Sequence, residues 1–175
     1  MPRGTEAIEH EIRIAASPEI VFNYFTDPAR LVQWMGVDTT LDPRPGGVFR
    51  IVFRPTPEVA RFVATAVAGG DERKARELDL STNAVLGEFL EVEPFTRIVF
   101  TWGYEKDLFS MPPQASVVEV VLEPDGEETV LRLQHSRLPA GATDFHRAGW
   151  DTFLLRLAIA ASGRDPGPDP LSAAA

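Results

Sequence analysis

The sequence predicts an α+β fold, an antiparallel sheet with its helices set apart from it. Three observations carry this. Segment after segment alternates apolar and polar residues with the two-residue period of a half-buried strand. Short turns join most of these segments, which favours antiparallel pairing over parallel strands with crossover helices. The helical signals are segregated, near the start, in one internal stretch and at the end of the chain, and that separation defines the class.

The elements follow in order. Ile8, His10, Ile12 and Ile14 alternate with Glu9, Glu11 and Arg13, a first strand. Ser17-Pro18-Glu19 reads as a helix start, with serine as N-cap, proline in the first turn and an acid beside it. Asp27-Pro28 repeats the signal for a second short helix ending near Met35-Gly36. Neither is long enough to be stable alone, so both must dock through Val21, Phe22, Phe25, Leu31 and Trp34. After the turn cluster Pro43 to Gly47, strands are expected at 48–53, with Phe49, Ile51 and Phe53 on one face, and at 84–92. A further strand runs from Arg97 to Gly103, with Ile98, Phe100 and Trp102 in phase. Ser116–Leu122, the turn Pro124-Asp125-Gly126 and Thr129–His135 form a hairpin. One long helix, Thr143 to Ser162, closes the series with Phe145, Trp150, Phe153, Leu154, Leu157 and Ala161 on a stripe.

The segment Arg54 to Asn83 breaks this rhythm. Thr56-Pro57-Glu58 starts a helix, Val59, Phe62, Val63, Ala66 and Val67 repeat at helical spacing, and Gly69-Gly70 stops it. Asp71 to Leu78 is a candidate for a second helix. About thirty residues exceed what a connection between hairpin strands requires, so the segment reads as an insertion. The order is one strand, two short helices, about six strands and one long helix. The domain is expected at 8–162, after an N-terminal arm at 1–7 and before a disordered tail at 163–175, rich in Pro, Gly, Asp and Ala.

Composition narrows the function classes. A chain of 175 residues fits one domain that buries roughly 70% of its unfolded surface. It has no cysteine, which excludes disulfides, thiolate zinc sites and a cysteine nucleophile. That fits a reducing compartment, and a cytoplasmic location is expected. The net charge of −9 argues against nucleic-acid or anionic-membrane partners. The short basic run Arg73-Lys74-Ala75-Arg76 is flanked by acids and reads as a solvated helix face. No stretch reaches the ~18 to 20 apolar residues of a membrane span, and the first residues lack the apolar core of a secretory signal.

Several stretches together resemble a known family. They are Ser17 to Phe22 with Trp34, Pro45-Gly46-Gly47-Val48-Phe49, Gly87 to Pro94 running into Ile98-Val99-Phe100-Thr101-Trp102, Leu133-Gln134-His135-Ser136, and Gly149-Trp150. Their order over residues 8 to 162 resembles the activator-of-Hsp90-ATPase-like branch of the START/Bet v 1 superfamily. The resemblance implies a helix-grip fold: a seven-stranded antiparallel sheet wrapped on the C-terminal helix, with a cavity between them. Family members usually have a short hairpin where this chain has the insertion. The superfamily includes binders of lipids, hormones and polyketides and a few cyclases or aromatases, so fold alone does not select an activity.

Candidate site residues follow from strand and helix phase. His135 is in phase with Thr129, Leu131 and Leu133 and should face the concave side, as a ligand donor, a general base, or a group bonded to a neighbour. Glu88 is a second acid–base candidate if its strand turns that face inward, and an exterior ion-pair partner otherwise. The cavity is expected to be lined by Trp34, Phe49, Ile51, Phe100, Trp102, Leu133, His135, His146, Trp150, Phe153 and Leu157. The same aromatics would equally serve as plain core. His146 shares a face with Trp150 and sits either at the cavity mouth or on the surface. No histidine pair has metal-ligand spacing, and no phosphate-cradling or dinucleotide motif is present, so neither metal nor cofactor is expected.

Three functions remain in view. The first is a binding module for a small hydrophobic ligand, with the inserted helix Pro57 to Ala68 as a lid. The second is a polyketide cyclase or aromatase-type enzyme using His135 or Glu88. The third, from the family name, is an interaction domain for an Hsp90 chaperone. The insertion's apolar stripe could also join two copies into a homodimer.

Overall fold

The computed structural model describes residues 5–106 and 108–170. Seven strands form one antiparallel sheet: β1 (Glu6–Ile14), β2 (Asp38–Leu41), β3 (Val48–Phe53), β4 (Asn83–Glu93), β5 (Arg97–Trp102), β6 (Ser116–Asp125) and β7 (Glu128–Leu138). Helices α1 (Pro18–Thr26), α2 (Pro28–Leu31), α3 (Pro57–Val67), α4 (Glu72–Glu77) and α5 (Thr143–Ala161) accompany them. The strand order is β1-β7-β6-β5-β4-β3-β2, so the first strand pairs with the last. The sheet grips α5, whose 19 residues carry the expected stripe: Trp150, Phe153, Leu154, Leu157 and Ala161 are buried. This is the helix-grip fold.

The predicted caps form. Ser17 Oγ accepts from Ile20 N–H, Asp27 Oδ1 from Ala29 N–H, and Thr56 Oγ1 from Val59 N–H. Each satisfies a donor that the first helical turn leaves unpaired. α2 ends at Leu31, earlier than Met35-Gly36, because the chain passes into turns that bring Trp34 under α1. There Trp34 Nε1 donates to Tyr24 O at 3.0 Å.

Alternation along the strands decides which side faces α5. Phe49, Ile51, Phe100, Leu131, Leu133 and His135 point inward and are essentially unexposed. The convex side is a lattice of ion pairs between neighbouring strands, among them Arg132 with Glu11 and Glu123, and Arg97 with Glu119. In β4 the inward residues are Val85, Gly87 and Phe89. Glu88 therefore faces outward, and among the described residues it makes no ion pair. Gly87 has no room for a side chain beside β5; a Cβ there would lie 1.9 Å from Thr101 O.

Two features were not legible in the residue pattern. β2 has no inward apolar row; only its backbone pairing with β3 (Asp38↔Val52 to Leu41↔Phe49) makes it a strand. The first part of the segment expected to be a disordered tail is held in place. Arg156, 8% exposed, donates Nε to Trp34 O and the rest of its guanidinium to Gln33 O, Pro166 O, Gly167 O and Pro168 O at 3.0–3.4 Å. One buried cation thus ties α5 to the turn after α2 and to the segment beyond α5.

Arg156→Ala removes those donors and leaves five carbonyls to find other partners. The expected loss of stability in urea unfolding is about 2–4 kcal/mol. Limited proteolysis should then cut between residues 163 and 170, where the parent protein resists. Unchanged stability and protection would refute this role for the arginine.

Candidate functional site

The sheet and α5 meet through a chain of buried hydrogen bonds whose directions are fixed by chemistry. Trp150 on α5 has only an N–H to offer, so His135 Nδ1 on β7 must accept it, at 3.0 Å. The proton of His135 is therefore on Nε2, which donates to Ser116 Oγ on β6 at 2.8 Å. Ser116 in turn donates to Trp102 O on β5 at 2.7 Å. A second chain lies beside it. His146 on α5 donates Nδ1–H to Ala142 O at 2.7 Å, leaving Nε2 to accept the Tyr104 hydroxyl proton, also at 2.7 Å. The two imidazoles stand perpendicular with centroids 5.4 Å apart.

Both histidines are neutral at pH 7. Burial pushes the His135 pKa far below its ordinary value, and the neighbouring His146 adds to the shift. Burial lowers His146 to about 4, against the opposing pull of the Ala142 carbonyl. Burial raises the Tyr104 hydroxyl, with a smaller contrary influence from the Trp102 N–H. That indole N–H lies near Tyr104 without reaching hydrogen-bond geometry, so Trp102 Nε1 is buried with no acceptor.

Most of the space between sheet and α5 is filled. Phe49 stacks on Phe100 with centroids 4.0 Å apart, Phe89 meets Phe49 edge-on at 5.5 Å, and Phe25 closes on Trp34 at 5.1 Å. The hollow lies at one end, under the insertion. It is a cavity of about 200 Å³ open at one side. Its floor is Trp102, Tyr104, His146 and Trp150. α3 covers it with Val59, Phe62 and Val63, the end of β3 supplies Phe53 and Pro55, and Asn83 comes from the start of β4. Phe145, Ala148, Gly149, Thr152 and Phe153 of α5 make the far wall. Leu108 and Phe109 close the rim from a 3-10 turn at Leu108–Ser110 in which Phe109 and Ser110 both hold positive φ. A side chain in that conformation is strained unless its surroundings fix it. Here Phe109 packs 4.8 Å from Phe145 and 5.5 Å from His146.

The family pattern of "Activator of Hsp90 ATPase homolog 1-like protein" matches residues 15–162. The chain belongs to this family. No match is found among curated proteins. Among solved structures, an AHSA1-like protein of Rhizobium etli is 32% identical, over 98% of this chain and 91% of its own, with a TM-score of 0.63. A Chromobacterium violaceum protein is similar in fold, at 23% identity, covering 97% and 100%, with a TM-score of 0.66. CalU16 of Micromonospora echinospora has 24% identity over 93% and 80%, with a TM-score of 0.62.

Of the cavity residues expected from the sequence, this family member brings Trp102, His146, Trp150 and Phe153 to the hollow. Trp34, Phe49, Ile51, Phe100, Leu133 and Leu157 are packed core instead. Large aromatics on adjacent strands fill the grip by stacking on each other, which strand phase does not distinguish from lining a void. His135 sits one layer behind the cavity. Its Nδ1 lone pair is taken by Trp150 and its neutral form is favoured, so it serves as a strut and is not placed to act as a general base. Glu88 is on the opposite side of the sheet. His146 is 4% exposed, at the cavity and not on the surface. His10 is drawn to Asp151 on α5, Nε2 to Oδ1 at 2.9 Å, rather than to the other two histidines. Tyr104, Leu108 and Phe109 lie in an irregular segment with no period to read, so strand and helix phase do not reveal them. The helical row Val59, Phe62, Val63 is the sequence signal for the helix that covers the cavity, and no helix in the described residues is long and apolar enough to cross a membrane.

The buried neutral histidines dictate a pH dependence. The folded His146 pKa is depressed to about 4 from 6.5, so between those values the unfolded chain binds more protons than the folded one. Stability should be flat well above pH 6.5 and fall as the pH drops toward 4, where the His146 share of the slope ends and the His135 share continues. Urea midpoints across this range check it, and His146→Gln should make the slope shallower by the His146 share, leaving the share that His135 contributes. A slope unchanged by the substitution would contradict the assignment.

Proposed function

We propose that this protein binds a small apolar or aromatic molecule in the cavity beneath α3, with α3 as its lid. The observation that carries the reading is the cavity itself. The rest of the space between sheet and helix is closed by stacked aromatics, yet about 200 Å³ stays open where the insertion crosses α5. A dry apolar void of about 150 Å³ suffices for a benzene ring, so this one suits a molecule of one or two rings. Aromatic walls with a few polar groups are the usual make-up of a small-molecule site. The insertion supports the same reading. Gly69 and Gly70, both at positive φ, end α3 in a tight turn, and Phe62 stands 67% exposed at the mouth. An apolar side chain left half in water at a cavity rim gains most when a ligand covers it.

Gly149 offers a clean test. It lines the cavity, and a Cβ added there would meet no atom within 4 Å. Gly149→Leu should fill the void without strain and raise helix propensity by up to about 1 kcal/mol. Naphthalene titrated into the parent protein should quench tryptophan fluorescence saturably, since Trp102 and Trp150 form the floor. The variant should melt no lower than the parent and show no saturable quenching. Binding that persists in the variant, or is missing in the parent, would sink the proposal.

A further inference from the structure

Most polar side chains around the cavity are already committed, and one is not. Tyr104 and His146 are bonded to each other, Thr152 donates to Ala148 O at 3.2 Å, and Trp102 Nε1 has no accessible surface. Asn83 differs from all of these. It lines the cavity and is half-buried, and its side-chain amide is accessible and has no hydrogen-bond partner among the described residues. Backbone pairing sets where that side chain points. Asn83 lies directly opposite Phe53 in the β3–β4 ladder, and opposed residues project from the same face of a sheet. Phe53 is on the inner face, its ring centroid 5.9 Å from that of Phe153 on α5. Val85, two residues further along β4 and so on the same face as Asn83, is wholly buried. Asn83 therefore projects from the sheet toward α5, into the space beneath α3. The backbone around it is held in place. Glu105 N–H donates to Ala84 O at 3.0 Å, and Lys106 Nζ donates to Asp79 O at 2.7 Å. Among the described residues, no Asp, Glu, Lys or Arg lines the cavity.

We propose that Asn83 is the specificity-determining residue of the cavity, and that the ligand is an uncharged one- or two-ring molecule carrying a donor and an acceptor side by side on one edge, as a lactam or carboxamide does. This rests on the binding reading above. The asparagine amide presents N–H donors and a carbonyl oxygen in one plane. A lactam matches both ends at once, its carbonyl accepting from Asn83 Nδ2 and its N–H donating to Asn83 Oδ1. A lone ring carbonyl engages one end only. A hydrocarbon displaces water from both ends and returns no hydrogen bond. A carboxylate or ammonium would be buried without a counter-charge, which is strongly unfavourable. The apolar walls then supply the affinity, and Asn83, on a paired strand rather than on the lid, orients the ligand edge.

Calorimetric titration at pH 7 with 2-quinolinone, naphthalene and 2-naphthoate tests this. 2-Quinolinone is a lactam with nearly the outline of naphthalene, so the ratio of their two affinities isolates the polar edge. Asn83→Leu should lower that ratio, lactam over hydrocarbon, by about tenfold or more, and 2-naphthoate should not bind the parent measurably. Naphthalene binding by the variant shows that its cavity is formed. A second readout needs no variant: an intermolecular Overhauser contact between the lactam N–H proton and the Asn83 side-chain amide protons is expected in the parent. A ratio unchanged by Asn83→Leu, a missing contact, or 2-naphthoate binding as tightly as 2-quinolinone would overturn the inference while naphthalene binding leaves the cavity proposal standing. Failure of all three probes to bind the parent would remove both.

Discussion

The junction between the sheet and α5 depends on His135 being a neutral strut. Its two ring nitrogens join the helix that the sheet grips (Trp150, on α5) to the sheet itself (Ser116, on β6). A buried imidazole can accept on one side and donate on the other only in one tautomer and only uncharged. That requirement fixes the height of α5 over β6 and β7. It also sets the two tryptophans, Trp102 and Trp150, 5.3 Å apart as a floor. Were His135 charged, its Nδ1 would carry a proton pointed at an indole N–H, and the contact would be repulsive.

From that strut the rest of the site follows in layers. Behind it, Phe49, Phe89 and Phe100 pack the grip shut. In front of it, Tyr104 and His146 form the second polar chain, and the space beyond them stays open because α3 arches over the end of α5 instead of collapsing onto it. Two kinds of interaction divide the labour. Apolar burial supplies the non-directional bulk of the stability, while the buried hydrogen bonds choose among packings that burial alone would leave similar. Arg156 does for the far end of α5 what His135 does for the middle, with five carbonyls in place of two partners.

The fold was readable because it rests on local rules. Strand alternation in β1, β3, β5, β6 and β7, the proline-and-cap starts of α1, α2 and α3, and the stripe on α5 each recur in the structure, and the family resemblance ordered them. β2 was not readable, since Asp38-Thr39-Thr40-Leu41 carries no apolar row and owes its conformation to β3. The site was half readable. Trp102, Trp150, Phe153 and His146 could be placed by phase, and Val59 to Val63 by helical spacing. What phase cannot supply is volume. Phe49 and Phe100 have the same inward direction as Trp102, yet they stack on each other and close the grip, while Trp102 is left facing open space. Tyr104, Leu108 and Phe109 lie between elements, in backbone conformations that only tertiary packing selects.

The hollow lies under the inserted helix, in front of His135, and not within the grip behind it. The most direct measurement is intermolecular nuclear Overhauser spectroscopy of the protein with naphthalene. Contacts from the naphthalene protons to the methyls of Val59, Val63 and Leu108 and to the ring of Phe153 are predicted. Contacts to Leu133, Leu157 and Phe100 in their place would contradict it.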